Sequence, residues 1–149
     1  VTASPPIDPS VLLALAERCE REESSRELDA AILNAVGHQA IARKIALSGW
    51  EWRKNGIGIW SRMPWPTTSL DSAVTLVPEG WAWFVQWIGS PFTEGSVRLW
   101  IPAQRTQKLK IEDTDGVGKT PTLALCAAAL RARAAIAELE VPIGSRISI

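Results

Sequence analysis

The sequence predicts an α+β fold, a mainly antiparallel β-sheet of about four to five strands sandwiched by helices in α-β-α layers. Three observations predict it. Apolar residues recur at helical spacing toward both ends of the chain, and they alternate with period two in the tryptophan-rich middle. The resulting order of helix, helix, hairpin, helix, strands and helix suits antiparallel strands with helices packed on their faces. A chain of 149 residues fits one domain that buries roughly two thirds of its unfolded surface. Residues 1–24 read as an N-terminal helical arm, 25–139 as the sandwich core and 140–149 as a tail.

Asp8 and Pro9 have the chemistry of an N-cap and first helical position, and Leu12, Leu15, Ala16 and Cys19 then follow at helical spacing. A second stripe, Leu28, Ile32, Ala35 and Val36, is out of phase with the first and follows the polar run Arg21 to Ser25. Ser24 with Glu27 forms a capping box, predicting a helix from about Ser25 to Val36 with Gly37 as its left-handed stop. Trp50 to Trp60 alternates around Asn55-Gly56, the pair best suited to a two-residue hairpin turn. That turn sets Trp52 opposite Ile59 and Lys54 opposite Ile57.

Thr68 and Asp71 cap a short helix from Leu70 to Val77, ended by Pro78 and Gly80. Trp81, Trp83, Val85 and Trp87 then lie on one face of a strand, with Ala82, Phe84 and Ile88 on the other; a strand apolar on both faces is expected to be covered on both. Val97, Leu99 and Ile101 are its hairpin partner, with Leu109 and Ile111 as a weaker edge strand. Asp113 to Lys119 reads as a loop. Thr120 caps the last helix, Pro121 takes its first turn, and its alanines permit close docking on the sheet.

Bulk properties remove several classes of function. The chain is 46% hydrophobic and 21% charged with zero formal net charge. That composition fits a folded domain, and the balance lacks the cationic surplus that drives binding to a polyanion. Cys19 and Cys126 fit no metal or secreted disulfide pattern, so a reducing cytoplasm is the expected setting. No run of residues is apolar and long enough for a membrane span.

Candidate chemistry is sparse. Asp113 to Thr120 ends in Gly-Lys-Thr before a helix, but Asp113 stands where a P-loop requires glycine, so a turn and a cap account for it better. The same stretch lacks a calcium loop's twelfth-position glutamate, Ala124 standing there. His38 is the only histidine and has no partner at zinc-binding spacing. Asp71 and Glu79 are separated by about 12 Å of helix, too far for paired glycosidase carboxylates. No catalytic residue, metal ligand or cofactor site is assigned. Among the 8 tryptophans, Trp65 differs because Pro64 and Pro66 deny it a strand face. An exposed loop tryptophan is a suitable anchor for a partner or a flat ligand, together with the hairpin tip at Asn55 and Gly56.

Four segments, Arg26 to Ile32, the tryptophan hairpin, Ser69 to Trp81 and Thr120 to Ala134, occur in one order, and the series resembles the phage ABA sandwich domain family of small phage and prophage proteins. The resemblance runs from about Arg26 to Ala135, with Gly89 to Lys119 outside it. It implies a sheet sandwiched by helices and implies no reaction. The expectation is a phage or prophage accessory protein that binds a host or phage protein, or a small ligand, without catalysis. Two alternatives are a hydrolase or transferase using His38, Asp71 and Glu79, and a single-stranded nucleic-acid binder using tryptophans with Arg105, Lys108, Lys110, Arg131 and Arg133. Neutral charge disfavours the latter.

Overall fold

In the computed structural model the described residues are 7–38, 43–45, 49–52, 61–62, 64–88, 94–102 and 111–140. They form an α+β fold. Helix α1 spans Pro9–Arg21, and the Asp8 carboxylate caps it by accepting the Ser10 N–H at 2.9 Å. Helix α2 spans Arg26–Leu33, capped one residue later than expected, because the Ser25 hydroxyl accepts the Leu28 N–H at 3.0 Å. Ser24 instead donates its hydroxyl to the Thr67 carbonyl at 2.6 Å. The helical trace widens into a π turn over Asn34–His38, so Gly37 lies inside a helix and is not its left-handed stop.

Three short strands follow: β1, Arg43–Ile45; β2, Gly49–Trp52; and β3, Ser61–Arg62. They form an antiparallel sheet in the order β1-β2-β3. Trp52 lies opposite Ser61, two residues beyond the Ile59 that a two-residue turn at Asn55-Gly56 would place there. Asn55 and Gly56 themselves lie outside the described residues. Helix α3, Leu70–Val74, is shorter than expected and is capped by Ser69 rather than Thr68. It relaxes into turns that bury Leu76 and end at Gly80, whose φ of 87° is natural only for glycine.

The second sheet is antiparallel in the order β4-β5-β6, with β4 Ala82–Ile88, β5 Glu94–Trp100 and β6 Thr114–Gly118. The register sets Val85 opposite Val97, and Arg98 between Phe84 on β4 and Asp115 on β6. Among the described residues two three-stranded sheets therefore replace the single sheet of four to five strands. The stretch expected to be a loop supplies β6, whereas Ile111 lies outside any strand and Leu109 outside the described residues.

Helix α4, Pro121–Glu140, explains why β6 carries two glycines. Thr120 caps the helix by accepting the Leu123 N–H at 3.2 Å. Every residue from Thr122 to Leu130 is buried, which requires a helix apolar on all sides and enclosed on all sides. The β4-β5-β6 sheet, α1 and α3 enclose it. A Cβ on Gly116 would run into the Ala124 carbonyl and come within 2.6 Å of the Ala128 nitrogen; one on Gly118 would come within 2.9 Å of the Ala124 nitrogen. Backbone lies against backbone here, and only glycine permits it. The Thr114 hydroxyl donates to the Ala128 carbonyl at 2.9 Å to complete the seam. Helix α4 is thus the middle layer, with sheet on one side and helices on the other. The expected order placed the sheet in the middle.

The first helix contributes Leu12, Leu15, Ala16 and Cys19 to the same core cluster as α4. The two cysteines are both buried and free. Cys126 donates its thiol to the Pro66 carbonyl at 3.0 Å, and its contact with Cys19 followed by burial pushes that thiol well above the usual range.

Candidate binding surface

The sequence-predicted anchor Trp65 is half-buried. The Arg26 guanidinium sits over its ring, 4.9 Å from the centroid, a cation–π contact. Arg26 also donates to the Pro64 carbonyl at 2.8 Å and to Asp29 at 2.9 Å. Asp29 is fully buried. Its other oxygen accepts the Thr67 N–H at 2.8 Å and the Thr67 hydroxyl at 2.7 Å. A carboxylate so enclosed by donors is stabilised where a lone one would be costly. The Pro-Trp-Pro-Thr turn is therefore strapped to the start of α2, which gives Trp65 a packing partner where the sequence suggested an open loop.

Asp71 and Glu79 are exposed, and the His38 side chain lies outside the description. Among the described residues no group of three or more His, Cys, Asp or Glu side chains could hold a metal ion. Of the cations offered for nucleic acid, Arg105, Lys108 and Lys110 lie outside the described residues. Arg131 is engaged by Glu20, at 2.6 and 2.7 Å. Arg133 donates to the Leu76 carbonyl at 2.6 Å and the Thr75 carbonyl at 3.4 Å, closing the end of the α3 segment; burial lowers its pKa.

The face of β4-β5-β6 turned away from α4 offers a different prospect. Side chains alternate across a pleated sheet. Val97, Leu99, Gly116 and Gly118 turn toward the helix, so Phe84, Gln86, Ser96, Arg98, Trp100, Asp115 and Val117 occupy the other face. They line an open concavity of about 570 Å³. Phe84 is 59% exposed and Val117 50% exposed. Between them Arg98 donates Nε to Asp115 at 3.0 Å, both side chains being more than 60% exposed. That hydrogen bond raises the Arg98 pKa, so the guanidinium stays charged. Two aromatic rings, an apolar side chain, an amide, a hydroxyl and an adjacent donor–acceptor pair thus share one surface.

No protein-family model, curated protein or solved structure matches the chain. The surface must be read from its own chemistry. Alternation of Ser96, Arg98 and Trp100 with Val97 and Leu99 sorts the β5 half into two faces without telling which face is covered. The β6 half was hidden by glycines that imitate a turn. Among the described residues, no helix is long and apolar enough to cross a membrane.

Proposed function

We propose that this protein is a non-enzymatic binding protein that contacts a protein partner or a small ligand through the open face of β4-β5-β6. The observation that carries the reading is the concavity lined by Phe84, Trp100 and the Arg98–Asp115 pair. Its volume of about 570 Å³ falls in the range of small-ligand sites, roughly 300–1,000 Å³, and an apolar surface with a few polar groups is their usual composition. Consistent with the resemblance to phage ABA sandwich proteins, the setting we propose is the cytoplasm of a bacterial host, as a phage or prophage accessory factor. Nucleic acid is a weaker candidate, because Arg98 is neutralised by Asp115 on this face and Arg131 by Glu20 beside it.

Native mass spectrometry of the protein purified from its own host tests the reading, since it reports bound ligand and partner together. A co-purifying species should be lost from the Phe84→Ala/Arg98→Ala double variant and retained by Asp71→Asn and Glu79→Gln. Retention by the double variant would remove the open face from consideration, and loss on Asp71→Asn would favour the enzymatic alternative.

A further inference from the structure

The two edges of the β4-β5-β6 sheet differ in how they are closed. On the β6 edge, Glu20 from α1 accepts the Val117 N–H at 3.0 Å, and Arg131 from α4 donates to the Asp115 carbonyl at 2.8 Å. The two side chains are also joined to each other, at 2.6 Å. This ion pair satisfies backbone groups of alternate residues as a neighbouring strand would, so a further strand cannot add there. Among the described residues the β4 edge carries none of the usual protections. Its sequence, Ala-Trp-Phe-Val-Gln-Trp-Ile, has seven residues with no charge, proline or glycine, and no strand among the described residues lies beyond it.

The exposure of β4 indicates the direction from which a partner must come. Trp83 is 36% and Phe84 59% exposed, and as consecutive strand residues they point to opposite faces. A surface laid on one face would bury only one of them. A strand added in the plane of the sheet flanks both.

We infer that β4 pairs with β4 of a second copy, antiparallel about a two-fold axis, to make a continuous six-stranded sheet. The second copy is the occupant for two reasons. The plugged β6 edge forbids the head-to-tail pairing that would generate filaments, leaving the isologous pairing of β4 with itself, which closes as a dimer. The formal net charge is zero, so two copies approach without long-range repulsion. A two-fold through Val85, the middle of the strand, sets Trp83 opposite position 87 of the second copy and Phe84 opposite position 86. The two open faces become one surface, with a Phe84 from each copy near its centre.

The test is sedimentation equilibrium from micromolar to millimolar protein, with circular dichroism to verify folding. The parent should show a reversible monomer–dimer equilibrium. Phe84→Lys/Gln86→Lys puts cations opposite cations across the axis, and Phe84→Glu/Gln86→Glu does the same with anions; both sites are exposed. Each variant should raise the dimer dissociation constant at least about a hundredfold, as like-charge contacts of several kcal/mol imply. An equimolar mixture of the two should recover a heterodimer. Val117→Lys, on the same face beside the plugged edge, should leave the equilibrium unchanged. A parent that stays monomeric throughout overturns the inference and favours an extended segment of another protein as the occupant. Dimers that survive both charge variants, a mixture that stays monomeric, or a Val117→Lys variant that dissociates would each overturn it as well.

Discussion

Replacing Gly116 with alanine adds one methyl group at the place where β6 and α4 lie backbone to backbone. The added carbon would meet the Ala124 carbonyl, the Ala128 nitrogen at 2.6 Å and the Ala127 methyl at 3.0 Å. Two of these three contacts are with helix backbone, held by the helix's own hydrogen bonds and buried on all sides, so neither can swing aside. Relief requires the strand to move from the helix, which opens the seam and strains the Thr114 bond to Ala128. Overpacking typically costs 1–3 kcal/mol, and where backbone must shift we expect the upper end, about 3 kcal/mol or more. Urea unfolding followed by tryptophan fluorescence should report this as a lower midpoint with an unchanged slope. Pairing the change with Ala127→Gly removes only the methyl contact, so the double variant should remain destabilised. If Gly116→Ala unfolds within about 0.5 kcal/mol of the parent, the close approach is not part of the folded state. Recovery in the double variant would mean that a side chain, and not the helix backbone, sets the limit.

Three further outcomes follow from contacts described above. Asp29→Ala leaves the buried Thr67 N–H without its acceptor and should cost about 3 kcal/mol, whereas Asp29→Asn, which keeps an acceptor oxygen, should cost less; thermal unfolding separates them. Trp65→Ala should cost about 2 kcal/mol through lost packing and the lost Arg26 contact, and a melting temperature equal to the parent's would restore Trp65 as a free anchor. The hydrogen bond from Arg131 holds the Glu20 carboxyl below its ordinary pKa of 4.5. A lowered folded-state value stabilises the fold fully above the unfolded value and loses that stability as pH falls through the folded one. Stability should therefore drop below about pH 4.5, less steeply in Glu20→Gln, and an identical acid limb in both proteins would refute the linkage.

The parts legible in the sequence are those whose causes are local. Asp8-Pro9 and Thr120-Pro121 mark helix starts because capping is decided within three residues, and the hairpin of β4 with β5 follows from two adjacent alternating runs, although alternation leaves its register open. Ser25 acts as a cap where Ser24 was expected, because Ser24 is drawn to the distant Thr67 carbonyl, and Ser69 acts as a cap where Thr68 was expected. Strand β6 was missed for a related reason. Its glycines are selected by contact with a helix, yet in sequence they are indistinguishable from turn glycines. The open face was hidden because alternation locates two faces of a strand without telling which layers cover them. Phe84 looked like core and is exposed; Trp65 looked exposed and is packed.

The strap that joins Ser24, Arg26 and Asp29 to Pro64 and Thr67 has a bearing on how this chain can vary. These bonds link positions 38 to 43 residues apart, so the chain departs from α2 and re-enters at the Pro64 turn through one fixed doorway. A loop fastened at its base pays an entropy of closure that changes by only about 0.6 kcal/mol when its length doubles. Val36 on the π turn belongs to the core cluster, so the tolerance begins after that turn: sequences of other lengths could be grafted between His38 and Pro64 at little cost in closure entropy, with the strap holding α2 and the Pro64 turn in register.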